Sequence, residues 1–257
     1  MIVMGILNVT PDSFADGGRH NDFEAAVNHG HQMLAEGVDI IDIGGESTKP
    51  GVERVSEEEE LARVIPVIKE LAKTGVRISI DTMRASTARA AVNAGAQIIN
   101  DVSGGLADPE MLPTAAQLGV PYIAMHWRGH SKDMNSRAVY GDVVKDVIAE
   151  LQERVNAALD AGITKGNLIL DPGIGFAKEA HHNWEIIDSI DQFVALGYPV
   201  LVGGSRKRFL GGDNPDEREA ATIELTKRLS TSGIWGVRVH SVKAHKDVLS
   251  SRVIRYF

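Results

Sequence analysis

Polar residues with chemical potential recur along this chain directly after short apolar runs. Asn8 follows the first run, Asp42 lies in the second, Asp81 closes the third, and Asn100-Asp101 closes the fourth. His126 ends the fifth and Asp171 the sixth. Ser205-Arg206-Lys207 follows the seventh, and the eighth carries Arg238 and His240. An Asp beside an Asn can accept a paired, charge-assisted hydrogen bond from a guanidine-like edge. Ser205-Arg206-Lys207, read as the opening of a helix, aims backbone N–H groups, a dipole and two cations at one anion. Arg238 can stack its plane on a flat heterocycle while its edge contacts phosphate, which a lysine cannot do. The acidic half of this set suits a ligand with several N–H donors, and the basic half suits an anion. Taken singly, Asp42 and Asp101 read as caps or hydrogen-bond acceptors, and His126 as a rim or core histidine. His29, His31, His181 and His182 read as surface residues, and no His-Glu-x-x-His spacing marks a metal cage. The co-location of so many polar run-ends, with one sign on each side, outweighs these bland readings.

The elements that must position these residues are legible as periodic patterns. Apolar, β-branched runs at 2–7, 38–43, 76–80, 96–100, 120–125, 167–170, 199–202 and 235–239 have the continuous character of strands buried on both faces. Helical patterns lie between them at 23–36, 56–74, 84–94, 109–118, 140–161, 181–196, 216–232 and 242–252. Ser56 followed by a run of glutamates is a capping-box pattern. Gly37, Gly75, Gly95, Gly119, Gly162, Gly197 and Gly233 each stand before a strand, where a helix end needs a left-handed residue. Eight βα units without a composition break predict an α/β fold of one domain over 1–257, a (β/α)8 TIM barrel with its site at the C-terminal strand ends. No Gly-x-Gly-x-x-Gly follows a strand, which argues against dinucleotide binding. The polar stretch 127–139 is the longest interruption and is expected to be mobile.

Composition narrows the class further. The chain has 257 residues, no cysteine and a formal charge of −8. Disulfides, thiolate zinc sites and cysteine nucleophiles are excluded. The acidic balance argues against nonspecific binding to nucleic acid or anionic membranes. No apolar run is long enough to span a bilayer, and the N-terminus lacks the features of a signal peptide, so the cytosol is the expected compartment.

With those motifs on the page, the chain resembles the dihydropteroate synthase family. The resemblance rests on Gly5–Phe14 (GILNVTPDSF), Ile41–Thr48 (IDIGGEST), Ser79–Thr82 (SIDT), Ile99–Gly104 (INDVSG), Asp171–Phe176 (DPGIGF), Ser205–Lys207 (SRK) and Arg238–His240 (RVH). These seven motifs follow in the family's order and cover essentially the whole chain.

The resemblance implies a transferase that joins p-aminobenzoate to (7,8-dihydropterin-6-yl)methyl diphosphate, releasing pyrophosphate. It implies that Asp81, Asn100 and Asp171 hold the pterin edge, with Asp42 in the same pocket, Lys207 on the ring and Arg238 stacked on it. Asn8, Arg238 and His240 would hold the diphosphate, Asn8 through Mg2+. Thr48 would lie near both substrates, and Phe176 and Ser205 would form the p-aminobenzoate side. Asp81, Lys207, Arg238 and His240 would carry the catalytic effect. Sulfonamides are implied as competitors. Three positions depart from the family pattern: Ser241 for an Asp, Lys49 for an Arg, and Gly204 for a larger residue. Ser241 predicts a less protonated His240, and Gly204 a looser turn. The competing readings are a pterin-binding paralogue with weak synthase activity and a pterin-dependent methyltransferase domain. The apolar content of 181–196 and 216–232 suggests a homodimer.

Overall fold

The computed structural model describes residues 1–10, 19–46, 54–130 and 134–251. Eight strands run in the places the apolar runs predict: β1 (Ile2–Asn8), β2 (Ile40–Gly44), β3 (Arg77–Asp81), β4 (Ile98–Asp101), β5 (Tyr122–Met125), β6 (Leu168–Asp171), β7 (Leu201–Val202) and β8 (Gly236–Val239). All pair in parallel in the order β6-β5-β4-β3-β2-β1-β8-β7. A single bridge, Leu170 to Val200, closes β6 onto β7. The sheet is therefore a cylinder, the expected (β/α)8 barrel, with one thin seam. β7 is the shortest strand because Pro199 has no N–H to give the ladder. Its carbonyl still accepts from Leu170 N at 2.9 Å.

Helices α1 (Arg19–Ala35), α2 (Glu57–Ala72), α3 (Ala85–Ala94), α4 (Met111–Leu118), α5 (Val143–Asp160), α6 (Ala180–Asp188), α7 (Ile190–Val194), α8 (Arg218–Leu229) and α9 (Val242–Ser250) wrap the outside. The Ser56 hydroxyl accepts from Glu59 N at 3.2 Å, as its capping pattern predicts. All seven glycines singled out before strands adopt positive φ, from 67° at Gly119 to 123° at Gly95. One expected helix differs. The 181–196 pattern divides at Ser189 (φ −110°, ψ 22°) into α6 and α7. Of the stretch expected to be mobile, Met134–Arg137 forms a 3-10 turn and 131–133 lie outside the described residues. No described helix is long and apolar enough to cross a membrane.

The period-two geometry of strands sorts their side chains into two shells. Ile41, Ile43, Ile78, Ile80, Leu168 and Val237 join the large core shared with the helices. Met4, Ile40, Ile98, Ile123, Ile169 and Leu201 form a second cluster of their own, the plug inside the barrel.

Candidate active site

The plug dictates what stands above it. Side chains two residues apart share a strand face, so the inner position after Ile40 is Asp42, after Ile98 is Asn100, after Ile169 is Asp171 and after Leu201 is Gly203. By the same step Asp81 follows Ser79 and Arg238 follows Gly236. A polar layer thus rests directly on an apolar floor, at the C-terminal ends of the strands.

Arg238 ties that layer together. Its Nε donates to Asp42 Oδ2 and its Nη2 to Asp81 Oδ2, both at 2.6 Å. Asn100 Nδ2 donates to the same Asp42 oxygen at 3.0 Å. Asp42 is fully buried, and its Oδ1 has no hydrogen-bond partner among the described residues. A buried acceptor left open in this way calls for an N–H donor from a ligand. Burial lifts the Asp81 carboxyl to about 7; Arg238 pulls it down, while Asp42 and Glu60 push it up. Burial raises Asp171 as well, against the Gly173 N–H and the charges of Lys207 and Arg238. The Gly173 N–H donates to Asp171 Oδ1 at 2.7 Å.

Lys207 lies along the loop after β6. A Cβ at Gly175 would stand 2.5 Å from Lys207 Cδ, so the side chain packs where only glycine leaves room. Lys207 Nζ donates to Ile174 O and sits 4.3 Å from the centre of the Phe176 ring. Burial draws its pKa down to about 7, with Asp171 opposing.

Ser205 and His240 form a pair. Ser205 Oγ accepts the His240 backbone N–H at 3.2 Å and lies 2.9 Å from Nδ1. The hydroxyl proton is then directed to Nδ1, which assigns the ring proton to Nε2. Burial and the charges of Arg238 and Arg206 lower the imidazole to about 3, so it is a neutral donor. Beside it, Glu219 accepts from Arg206 Nε at 2.6 Å and from Ser241 Oγ. Position 241 thus faces a carboxylate of α8 that takes its hydrogen bonds from Arg206 and Ser241.

The structure brings Asp42, Asp81, Asn100, Asp171, Phe176, Ser205, Lys207, Arg238 and His240 to one end of the barrel. Asn8 ends β1, in register with Gly44. Thr48 and Lys49 lie outside the described residues. His126 is buried and bonded to Glu150 at 2.9 Å, a core histidine. Asp101 accepts from Ser103, Gly105 and Tyr122 and shapes the loop after β4.

Three sequence expectations need correction. Ser205-Arg206-Lys207 does not open an α-helix. Arg206 has φ 56°, the left-handed region, and only the 3-10 turn Arg208–Leu210 follows before α8. No long-helix dipole therefore reaches the anion. Acidic and basic groups are not segregated either, because Arg238 reaches across to Asp42 and Asp81. Two of its donor nitrogens are engaged there. In line with the expectation drawn from Ser241, His240 is neutral and contributes a hydrogen bond rather than a charge. Gly204 does not loosen its turn: a Cβ there would stand 2.8 Å from Leu225 Cδ2.

Sequence reasoning passed over three groups. Lys178 is a half-buried lysine two residues beyond the Phe176 motif. Glu60 is a fully buried carboxylate hidden in a run that reads as a solvated helix start. Glu219 supports Arg206. A cation or acid near a strand-end motif was the available signal for Lys178 and Glu219; Glu60 falls on the inner stripe of α2, with Val64, Val67 and Ile68.

For a metal, no three His, Asp or Glu converge among the described residues. Asn8 offers one neutral oxygen. That donor set fits Mg2+, which keeps its waters and binds through substrate phosphates with few protein ligands.

These features agree with the known proteins the chain is similar to. The pterin binding enzyme family matches over residues 4–240. A dihydropteroate synthase from Mycobacterium leprae is 50% identical over 257 residues, covering 96% of this chain and 90% of that protein. The structure of the Xanthomonas albilineans dihydropteroate synthase with 4-aminobenzoic acid superposes with a TM-score of 0.93 at 44% identity, covering 100% of this chain and 93% of that one. The Yersinia pestis dihydropteroate synthase, in complex with a sulfonamide drug, gives 0.93 at 39% identity, covering 100% and 94%. The chain belongs to the pterin binding enzymes and, among them, to the dihydropteroate synthase family.

Proposed function

We propose that this chain condenses p-aminobenzoate with (7,8-dihydropterin-6-yl)methyl diphosphate to give 7,8-dihydropteroate and pyrophosphate. The observation that carries the reading is the polar layer on the barrel plug: Asp42 with an open buried oxygen, Asn100, Asp171 and Asp81 around Arg238. This layer accepts the N–H groups of an amino-pyrimidine edge, with Lys207 at the ring. Arg238 Nη1, the His240 Nε2–H and Asn8 face the diphosphate. Phe176 and Ser205 bound the p-aminobenzoate side; Thr48, assigned there by the resemblance, lies outside the described residues.

In the step itself the methylene C–O bond breaks and its electron pair leaves with the diphosphate. The resulting methylene cation is delocalised into the pterin ring, beside the Asp81 carboxylate. The aniline nitrogen then forms the C–N bond and loses one proton to solvent. A neutral aniline is nucleophilic already, so no protein base is assigned. Asn8 would be the protein ligand for Mg2+, which when bound would add charge neutralisation of the leaving group.

Pyrophosphate release tests the reading. It is expected to require p-aminobenzoate, to vanish in Asp81→Ala, and to stop with EDTA and return with Mg2+. Release without p-aminobenzoate, or unchanged in EDTA, would contradict the reaction or the metal respectively. Ser241, the departure that motivates the reading as a weakly active paralogue, donates its hydroxyl to Glu219. His240 acts here as a neutral donor. His240→Gln, which keeps an N–H near the same place, is expected to stay within about tenfold of wild type. His240→Leu loses a hydrogen bond to a charged group, roughly ten- to a hundredfold in kcat/KM. Equal losses in both variants would show that the imidazole ring itself is needed. Sulfonamides compete with p-aminobenzoate in this reading, the compartment is the cytosol, and the chain pairs as a homodimer through its outer helices, where Trp184 packs on Phe209 and stays part-exposed. Light scattering that gives the mass of one chain rejects the dimer.

A further inference from the structure

Lys178 takes no part in the chemistry above, yet its amino group is enclosed at the foot of the loop that carries Phe176. Its Nζ lies 2.9 Å from His126 Nδ1 and donates to Gly173 O and Phe176 O at 3.1 Å each. His126 is oriented from its other side. Nε2 meets Glu150 Oε2 at 2.9 Å, and Arg128 Nε holds both oxygens of that carboxylate at 3.0 and 3.1 Å. Burial lowers the imidazole to about 4, helped by the Lys178 charge, so the ring is neutral. Its proton belongs on Nε2, facing Glu150, and Nδ1 is left as an acceptor. Lys178 therefore faces three acceptors, and an ammonium has three N–H donors to match them. Burial lowers its pKa to about 7, with Asp171 pulling up and Lys207 pulling down.

The backbone is bent to make this possible. Ala177 adopts φ 48° between Phe176 and Lys178, a left-handed turn that is uncommon without glycine. The turn is held from outside by Tyr140, whose hydroxyl donates to Ala177 O at 2.9 Å. It returns Lys178 beneath the loop it has just left. Asn183 pins the same loop through Gly175 N at 2.6 Å.

Resting on the functional reading above, we propose that Lys178 is a positioning residue: held by the His126–Glu150 pair, it fixes the Gly173–Phe176 turn and thereby the aromatic wall against which p-aminobenzoate binds. It touches no substrate, since all three donors are used within the protein. Its loss should weaken p-aminobenzoate far more than the pterin, because Asp42, Asp81 and Asn100 stand on other strands and only Asp171 touches the turn, through the Gly173 N–H.

The experiment pairs kinetics with hydrogen exchange on the full chain. In Lys178→Met the KM for p-aminobenzoate is expected to rise about tenfold or more, with the KM for the pterin diphosphate within about twofold. The amides of Gly173, Gly175 and Phe176 should exchange at least about tenfold faster. Glu150→Ala alters a carboxylate that is 35% exposed, so it should fold even where Lys178→Met does not; freeing His126, it should give the same selective rise, only smaller. Unchanged exchange overturns the positioning role. Faster exchange with both KM values rising in parallel overturns the link to p-aminobenzoate. If the wild-type chain releases no pyrophosphate, the functional reading fails by itself, and the exchange result still decides whether Lys178 holds the turn.

Discussion

Arg238→Met is expected to lower kcat/KM by about a thousandfold or more and to remove about 3–5 kcal/mol of stability near neutral pH. The size follows from what the side chain spans. Asp42 and Asp81 are both buried, and Arg238 is the cation that meets them, at 2.6 Å each. Methionine fills the volume but leaves two carboxylates facing one another on an apolar floor. They cannot both ionise there, so the pair takes up a proton. The sign of the pH effect is then fixed. Asp81 already sits at about 7 in the folded protein against 3.8 for a free carboxyl. The native state therefore binds more protons than the unfolded chain between about pH 4 and 7, and this group's stabilising share is lost as pH rises through that window. Without Arg238 the folded value moves higher, so the loss extends above pH 7. Denaturant midpoints at acid, neutral and alkaline pH, beside the pyrophosphate assay, check both parts. A variant as stable as wild type at alkaline pH would show that Arg238 does not neutralise these acids.

Arg84→Ala should be the most destabilising change away from the reacting centre, again by about 3–5 kcal/mol. Its Nη1 meets the fully buried Glu60 and donates to Glu46 Oε2 at 2.9 Å. Its Nη2 reaches Val55 O. Thr82 Oγ1 donates to Glu60 at 2.6 Å and Thr87 Oγ1 at 3.3 Å. With Arg84 gone, two hydroxyls remain to solvate a buried anion. The penalty belongs to the orphaned charge, so the double change Arg84→Ala with Glu60→Gln should recover most of it. Failure of the double variant to recover would place the loss in the Glu46 and Val55 contacts that flank the second βα loop. Breaking the exposed Lys73–Glu70 pair should change nothing measurable.

Much of this architecture is written locally. Runs such as VDIIDI and VRISI can satisfy their apolar faces only between a barrel lumen and a helix layer. The glycines before the strands are read from a single backbone requirement. The inner layering is legible too, because Ile40 and Asp42, or Ile98 and Asn100, are two residues apart. What escaped the sequence depends on contacts across the fold. The apolar stripe of Ile186, Ile187, Ile190 and Phe193 continues through Ser189, so helical periodicity alone hides the break there. Arg206 looks like a helix opener until its left-handed backbone is seen. Asp42 is 196 positions from Arg238, and no local pattern tells which acid that cation will meet. Lys178 carries no local signal of its role, because its three acceptors are two carbonyls and the histidine that follows another strand.

The same long separation has a consequence for how the protein is made. Asp42 and Asp81 leave the ribosome early, while their counter-ion is carried by the last strand. Any compact state of the emerging chain that buried those two acids would have to keep them protonated or hydrated. The polar layer of the barrel thus reaches its ion-paired form only after synthesis has passed Arg238.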